Sequence, residues 1–409
     1  MNIKRIEGGV TAPQGFEAAG VPAAIKYQGR KDMALVYSVM PAVVAGSFTT
    51  NAVKAAPVLW DMELVKNHES ARCIIVNSGI ANACTGQQGM ECCRRTAEKA
   101  ASLLGITKEE VLFGSTGVIG MQLPLDRIEA GVALLANEKA AGLLAGKNAA
   151  EAIMTTDTVI KQAAVQADIG GKMVTVGGMS KGSGMIHPNM CTMLAYVTTD
   201  VRITKKLLTE LVKETVADTY NMISIDGDTS TNDTLLVLAN GAAGNALIDE
   251  KNDDYHAFKA AFYDVNEQLA RMMARDGEGA TTLIEMKVTG AGNKEEARIL
   301  AKSVIGSSLV KAAVYGRDAN WGRIMCALGY SGVDFDPEQV RLCFENAAGQ
   351  VKVYGDGCGI AFDEGLAKQI LSEDHVVIRA DMGLGEAAAT AWGCDLTEEY
   401  VKINADYRS

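Results

Sequence analysis

The sequence has few aromatic residues, few prolines and no run of basic residues. Aromatic side chains make up 5% of the 409 residues, which argues against stacking platforms for nucleobases or sugars. No apolar run reaches the roughly 18 residues that a membrane helix needs. The formal net charge of −11 is the opposite of what nucleic-acid binding requires. This balance suits a soluble cytoplasmic enzyme, with neither nucleic acid nor membrane as a partner.

Motifs for metals and disulfides are also missing. The four histidines are far apart and form no H-E-x-x-H motif, so we predict no metal site and no bound cofactor. The nine cysteines include no C-x-x-C pair, and the N-terminus does not resemble a signal peptide. Free thiols in a reducing compartment are therefore expected.

The chain is rich in glycine and in apolar residues, with 42 glycines and 48% hydrophobic residues, enough for two lobes. Strand and helix patterns alternate irregularly, which predicts a mixed α/β (α+β) fold and not a doubly wound sheet. The first 60 residues are predicted as short strands and turns, punctuated by Pro41 and Gly46. Helices are predicted over 87–104, within 124–154, and over 203–222 and 254–275. Strands are predicted at a hairpin over 163–178 and near 281–289 and 341–354.

One segment, from Gly177 to Asp200, suggests chemistry. We interpret it as a Gly/Ser-rich loop followed by an apolar strand, with the Cys191–Thr192 bond at the junction. An N-terminal Thr carries its own base, since an α-amine with a pKa near 8 lies within reach of its hydroxyl. The hydroxyl could expose that amine by attacking the preceding carbonyl. A Thr that begins an apolar strand is also simply a good β-former, so these residues alone leave both interpretations open.

The wider sequence resembles a known family. "KGSGMIHPNMCTMLAYVTTD" is similar to the cleavage segment of the ArgJ family, the glutamate N-acetyltransferases that are also called ornithine acetyltransferases. Further blocks resemble the family in the same order: "RIEGGVTAPQGF", "NSGIANACTG", "STGVIG", "IMTTDT", "SIDGDTSTNDT", "GRDANWGRI" and "WGCDLTEEYVKINADYRS". The resemblance implies an ArgJ/DmpA-like layered sandwich with autoprocessing of the N-terminal-nucleophile type.

The resemblance also implies an activity. Self-cleavage after Cys191 would give an α chain of residues 1–191 and a β chain of residues 192–409, in a heterotetramer of two α and two β chains. The enzyme would move acetyl from N-acetylornithine to glutamate through acetyl-Thr192, in a ping-pong reaction of arginine biosynthesis. It leaves open whether acetyl-CoA serves as a second acetyl donor.

Family positions map onto this chain one by one. Thr116 and Gly117 would form the oxyanion hole, and Thr192 would be the nucleophile. Lys181 would pair with a substrate carboxylate and Glu278 with the amino group of ornithine. The substrate-binding residues implied by the resemblance are Thr155, Lys181, Thr192, Glu278, Asn404 and Ser409.

Two residues depart from the family pattern. Cys191 stands where Ala is common before the nucleophile, which leaves the rate of cleavage open. Ile80 stands where the N-S-G-x-A-N-A block commonly has Asn, which weakens any hydrogen-bonding role at that position. Asn77 and Asn82 keep the pattern.

Two other functions are compatible with the same nucleophile or the same fold. An aminopeptidase or amidase with the same nucleophile would differ only in its acceptor, and a non-catalytic binding protein could keep the fold. "VVIRADMGLGEAAATA" imitates a dinucleotide motif, but too few residues follow it for a βαβ unit. "SIDGDTSTND" resembles a Ca²⁺ loop without its spacing, and we interpret it as a structural turn close to the active site.

Overall fold

The computed structural model describes residues 3–187 and 193–405. The strands are β1 (Ile3–Ile6), β2 (Phe16–Val21), β3 (Met33–Phe48), β4 (Ser70–Asn77), β5 (Val111–Ser115), β6 (Lys161–Ile169), β7 (Lys172–Lys181), β8 (Leu194–Thr199), β9 (Ile223–Ser224), β10 (Thr234–Ala239), β11 (Leu283–Ala291), β12 (Arg341–Asn346), β13 (Gly349–Gly355), β14 (Cys358–Gly359), β15 (His375–Asp381) and β16 (Ala387–Cys394). The helices are α1 (Ala56–Asn67), α2 (Gly86–Leu104), α3 (Leu125–Glu138), α4 (Leu143–Ala152), α5 (Lys205–Asp218), α6 (Asp253–Arg275), α7 (Lys294–Gly306), α8 (Ser308–Tyr315), α9 (Trp321–Gly329), α10 (Glu364–Leu371) and α11 (Glu398–Ala405). Of the helices within these described ranges, none combines the length and the apolar character needed to cross a membrane.

The chain divides into two compact units built from interleaved segments. In the described residues, the first unit comprises 3–182, 193–217 and 229–269, and the second comprises 183–187, 218–228 and 270–405. The predicted α and β chains therefore do not coincide with the units. Residues from both sides of the predicted cleavage site enter each unit.

The first unit is built on a nine-stranded sheet with the order β1-β6-β7-β8-β10-β3-β4-β5, and β2 pairs with β3. Alternate residues of β4 enter different apolar clusters: Cys73 and Ile75 join residues of α2 and α3, whereas Ile74 and Val76 join residues of α4. Both faces of the sheet are thus covered, which is the layered arrangement of a mixed α/β fold. The predicted fold class is confirmed at this level.

The N-terminal prediction of short strands and turns is wrong in two places. Met33–Phe48 is one long strand that runs through Pro41. Its pairing with β4 shifts register between Tyr37 and Ala42, and an irregularity of this kind tolerates the missing proline N–H. A helix, α1, begins at Ala56 with proline in its first turn, where no N–H is needed.

The predicted Gly/Ser-rich loop at Gly177 is also wrong in its first part. Residues 177–181 continue β7, and the loop begins only at Gly182. The glycines serve close packing here, since a Cβ at Gly177 would lie 2.0 Å from the Gly9 carbonyl oxygen. The predicted hairpin is confirmed as β6 and β7.

The strongly periodic helices are found close to their predicted bounds. The helix expected over 87–104 is α2, and Gly105 ends it in the left-handed conformation with φ +66°. The helices expected over 203–222 and 254–275 are α5 and α6. The region 124–154 holds two helices, α3 and α4, because Lys139–Gly142 leaves helical geometry.

The second unit contains a seven-stranded sheet with the order β14-β13-β12-β15-β11-β16-β9. The strands predicted near 281–289 and 341–354 are β11 and the β12–β13 hairpin. Helix α7 packs on β11 and β16. The glycine turn after β15 leads into the strand β16 and not into a helix, so the dinucleotide motif is excluded, as predicted.

A buried carboxylate on β11, Glu285, is surrounded by basic side chains. His375 Nε2 lies 3.1 Å and Lys287 Nζ 2.9 Å from its oxygens, and Arg271 lies 3.4 Å away. Burial would raise the pKa of Glu285, but these neighbours outweigh burial and lower the pKa from 4.5 to about 2. The carboxylate therefore stabilises the folded state fully above pH 4.5. Its contribution is lost as the pH falls towards 2.

We expect Glu285→Gln to lower the free energy of unfolding at pH 7 by about 3 kcal/mol, since each pH unit between the two pKa values is worth about 1.4 kcal/mol. The difference from the wild type should shrink between pH 4.5 and 2 in urea titrations. Glu295→Gln removes an ion pair whose carboxylate is 70% exposed, and it should cost less than about 1 kcal/mol. Equal losses for the two variants would contradict the argument.

Candidate active site

Two parallel strands of the first unit, β4 and β5, end side by side with Asn77 opposite Ser115. The Thr116 N–H donates to the Asn77 carbonyl at 3.0 Å, which ties the turn after β5 to the end of β4. Asn77 also donates from Nδ2 to the Ile80 carbonyl and accepts from the Ser115 hydroxyl. The backbone amide of Thr116 is therefore occupied, and the group it can offer to a ligand is its hydroxyl.

The next residue, Gly117, occupies a position that only glycine fits. Its φ is +126°, and an added Cβ would lie 2.2 Å from the Gly79 carbonyl carbon. The Val118 N–H donates to the Gly79 carbonyl at 3.1 Å and closes the turn. Within the described residues, 3–187 and 193–405, the Gly117 N–H donates no hydrogen bond. An adjacent hydroxyl and amide are the donors that an oxyanion hole needs.

Lys181 ends β7 beside this turn. Its Nζ lies 3.4 Å from the Thr116 hydroxyl oxygen, and the residue is 8% exposed. Lys181 pairs with Leu194 in the β7–β8 ladder. In the same unit, the Thr234 N–H donates to the Met193 carbonyl at 2.8 Å. Lys181 thus lies in the strand next to the one that follows Thr192 in the chain.

A buried carboxylate, Asp157, connects the polar groups around Lys181. Its Oδ1 accepts from Lys161 Nζ at 2.6 Å and from the Gly182 N–H at 2.8 Å, and its Oδ2 accepts from the Thr155 N–H at 3.0 Å. The Asp157 and Lys161 side chains are fully buried. Asp157 therefore fixes both the turn of Thr155 and the backbone directly after Lys181.

The charge of Asp157 is maintained by its neighbours. Burial alone would raise the pKa of this carboxyl, but the charges of Lys181 and Lys161 outweigh burial and hold the pKa well below its usual range. The carboxylate is therefore ionised at any pH where the enzyme would work. It is a fixed negative charge that binds Lys161 directly and attracts Lys181.

We expect Asp157→Ala to lower the free energy of unfolding by about 3–5 kcal/mol, because it leaves buried ammonium groups without their carboxylate. Urea unfolding followed by circular dichroism would measure the loss. Glu151→Ala is the matched control, since it breaks the exposed ion pair with Lys31 and should cost less than about 1 kcal/mol. A loss at Asp157 no larger than at Glu151 would show that this site does not depend on the buried pair.

The other implied substrate residues lie in the second unit. Glu278 is 7% exposed, and its Oε2 accepts from Asn404 Nδ2 at 2.7 Å. The Glu278 N–H donates to the Ser183 carbonyl at 2.8 Å, and a Cβ at Gly184 would lie 2.4 Å from the Glu278 carboxyl. Glu278 and Asn404 are thus hydrogen-bonded neighbours within this unit.

The implied residues fall into two groups. Thr116, Gly117, Thr155 and Lys181 belong to the first unit, and Glu278 and Asn404 to the second. Cys191, Thr192 and Ser409 lie outside the described residues, so their predicted roles stay predictions.

Sequence reasoning missed Asp157 and Lys161. The available signal was their spacing of four residues: Asp157 lies in the block "IMTTDT", and Lys161 follows three residues after the block ends. Ile80, the departure from the family pattern, is 2% exposed and packs in the apolar cluster that contains Ile75. An apolar side chain therefore fits that position.

Comparison with known proteins decides the family. The sequence profile of the ArgJ family matches residues 17–409. The chain belongs to the ArgJ family. It is 52% identical over 400 residues to the arginine biosynthesis bifunctional protein ArgJ of Thermotoga neapolitana, covering 97% of this chain and 99% of that one. It is 46% identical over 407 residues to the protein of the same name from Bacillus subtilis, covering 100% of this chain and 98% of that one.

Among solved structures, a crystal structure of ornithine acetyltransferase complexed with ornithine from Mycobacterium tuberculosis matches 47% of this chain and 100% of that chain. The matched part is 45% identical, with a TM-score of 0.44. The family profile and the relatives at 46–52% identity confirm the predicted ArgJ-type α/β sandwich and the prediction of an acetyltransferase of arginine biosynthesis. The aminopeptidase alternative is not favoured.

Proposed function

We propose that this ArgJ-family enzyme cleaves itself between Cys191 and Thr192 and then uses Thr192 to carry acetyl from N-acetylornithine to glutamate. The observation that carries the proposal is the group of donors in the first unit. The Thr116 hydroxyl, the Gly117 N–H and the Lys181 ammonium occur together, and Lys181 pairs with the strand that begins two residues after Thr192.

Self-cleavage would proceed by an N→O acyl shift. The Thr192 hydroxyl oxygen attacks the Cys191 carbonyl carbon, the amide C–N bond breaks, and the nitrogen takes up a proton. Water then hydrolyses the resulting ester. The products are a carboxylate at Cys191 and a free α-amine at Thr192, which supplies the base that a Thr nucleophile lacks.

Acetyl transfer would use that amine. It takes the Thr192 hydroxyl proton while the oxygen attacks the acetyl carbonyl, and the amino group of ornithine leaves with a proton. The amino group of glutamate then attacks the acetyl ester. Each tetrahedral intermediate bears an oxyanion, and each donor at Thr116 and Gly117 would stabilise it by about 2.7–4 kcal/mol.

The substrate contacts follow from charge. Lys181 would pair with a substrate carboxylate and Glu278 with the amino group of ornithine. Asn404 and Ser409 would donate neutral hydrogen bonds to the α-carboxylate, and Thr155 would complete the set. Support comes from the low exposure of Lys181 and Glu278, because charges with so little contact with water interact strongly with a ligand.

The family resemblance implies the heterotetramer, and the interleaved units support lasting association of the two chains. The α and β chains would stay together after cleavage, because each unit contains residues from both sides of position 191. We propose a cytoplasmic heterotetramer of two α and two β chains. Native mass spectrometry would test this, and a single α and β pair at micromolar concentration would contradict it.

The decisive experiment is mass spectrometry of purified protein before and after N-acetylornithine is added. We expect fragments 1–191 and 192–409, with acetyl on the second fragment that disappears when glutamate is added. A chain that stays whole, or an acetyl group at another site, would overturn the proposal. Steady release of free acetate that glutamate does not affect would favour a hydrolase.

A second acetyl donor is supported by the word "bifunctional" in the names of the relatives. We propose that acetyl-CoA also acetylates Thr192, so that the enzyme makes N-acetylglutamate without N-acetylornithine. Incubation with glutamate and acetyl-CoA alone tests this directly. No N-acetylglutamate above a Thr192→Ala control would leave the enzyme with a single acetyl donor.

A further inference from the structure

A carboxylate in the second unit, Asp226, holds the last described residues before the cleavage segment. Its Oδ2 accepts from the Met185 N–H at 2.5 Å, and its Oδ1 accepts from the Ile186 N–H at 2.8 Å. Hydrogen bonds to an ionised carboxylate are about twice as strong as those between neutral groups. Two successive backbone amides are therefore fixed by one side chain.

Neighbours of Asp226 extend this contact along the chain. The Ile225 N–H donates to the Ile186 carbonyl at 2.6 Å, and His187 Nδ1 lies 2.9 Å from the Ser224 hydroxyl oxygen. Three consecutive residues, 185–187, are thus held by residues 224–226. The described chain ends at His187, four residues before Cys191.

The held segment has a conformation that it would not keep by itself. Met185 has φ +56°, a left-handed conformation that is costly for a residue with a side chain. Gly184 packs directly on the Glu278 carboxyl. Because the local backbone is strained, it depends on its hydrogen bonds to residues 224–226, and Asp226 supplies the two that reach Met185 and Ile186 through their N–H groups.

Asp226 is itself oriented by a third donor. The Asp228 N–H donates to its Oδ1 at 3.1 Å. A carboxylate with three donors around it has little freedom to turn away from Met185 and Ile186.

We propose that Asp226 is a positioning residue for self-cleavage, which holds residues 185–187 so that the Cys191 carbonyl is presented to the Thr192 hydroxyl. This inference rests on the proposed self-cleavage. An acyl shift needs a well-positioned carbonyl, so the chain that leads to the bond must be held in place. Before that bond, Asp226 fixes Met185 and Ile186.

The test is the rate at which newly synthesised precursor is converted into fragments 1–191 and 192–409, followed by mass spectrometry during cell-free synthesis. We expect Asp226→Asn to slow cleavage by about tenfold or more, because displacing a reacting group by about 1 Å can lower a rate by about 10²-fold. The amide would turn an N–H₂ donor towards one of the two backbone N–H groups. Asp226→Glu keeps the carboxylate on a longer side chain, and its cleavage rate should lie between those of Asp226→Asn and the wild type.

Asp228→Asn is the matched control, since it removes the same charge from an exposed side chain two residues away and should cleave at the wild-type rate. Wild-type rates for Asp226→Asn would overturn the inference but leave the proposed function intact. Cleavage of Thr192→Ala would instead overturn the proposed function. If Asp226→Asn does not fold, Asp226→Glu decides: a rate at least about threefold below the wild type supports positioning, and an equal rate overturns it.

Discussion

Thr192→Ala is expected to remain a single chain of 409 residues and to lose acetyl transfer. The variant lacks the hydroxyl that would attack the Cys191 carbonyl, so no α-amine is released. It also lacks the oxygen that would carry acetyl. Removing a catalytic nucleophile lowers kcat by a factor on the order of 10⁴–10⁶. The loss is not larger because the oxyanion-hole donors and substrate binding still accelerate the reaction with water. Gel electrophoresis and an ornithine-release assay would measure both effects.

Two neighbouring substitutions make this prediction specific. Thr192→Ser keeps a hydroxyl and should still cleave and transfer acetyl, because an N-terminal Ser can be activated by its own amine in the same way. Cys191→Ala restores the residue that is common in the family, and it should cleave at least as fast as the wild type. An active Thr192→Ala variant would exclude Thr192 as the nucleophile. Loss of activity in Cys191→Ala would point to the thiol instead.

The turn of Thr116 and Gly117 could be singled out from sequence, through the family resemblance, because the motif that carries it is local. Thr116 and Gly117 are adjacent in the chain. The positive φ of Gly117 is a conformation that glycine adopts readily, so the residue type itself indicates the turn. The site around Asp157 is different. Lys161 has the informative spacing of four residues, but Gly182 is brought to the same carboxylate by the β6–β7 hairpin. Contacts that form only when distant segments fold together have no characteristic spacing in the sequence.

The sequence-based prediction was wrong at glycines that are needed for close packing within a strand. Gly177 and Gly178 suggested a loop, yet both lie in β7, and a Cβ at Gly178 would come within 2.9 Å of Leu269. A close partner from a distant part of the chain cannot be recognised from neighbouring residues. Where helical periodicity is strong and a glycine marks the C-terminus, the prediction was correct, as for α2 and Gly105.

Gly117→Ala is expected to lower kcat for acetyl transfer by about 10²–10³, the usual cost of losing one oxyanion donor. The new Cβ would lie 2.2 Å from the Gly79 carbonyl carbon and 2.7 Å from the Ile80 nitrogen. Both atoms belong to backbone, so the turn itself must move, and the Gly117 N–H moves with it. The KM for N-acetylornithine should change far less than kcat, because the donor acts mainly in the transition state.

Gly120→Ala separates this effect from ordinary backbone strain. Gly120 also has a positive φ, +85°, but an added Cβ would meet nothing within 4 Å. It should therefore destabilise the protein by only about 1 kcal/mol and keep kcat close to the wild type, because the strain of a left-handed residue is local. Equal losses of kcat in the two variants would mean that the turn tolerates no side chain anywhere. A normal kcat in a folded Gly117→Ala variant would remove Gly117 from the oxyanion hole and leave the Thr116 hydroxyl and Lys181 as the groups that stabilise the charge.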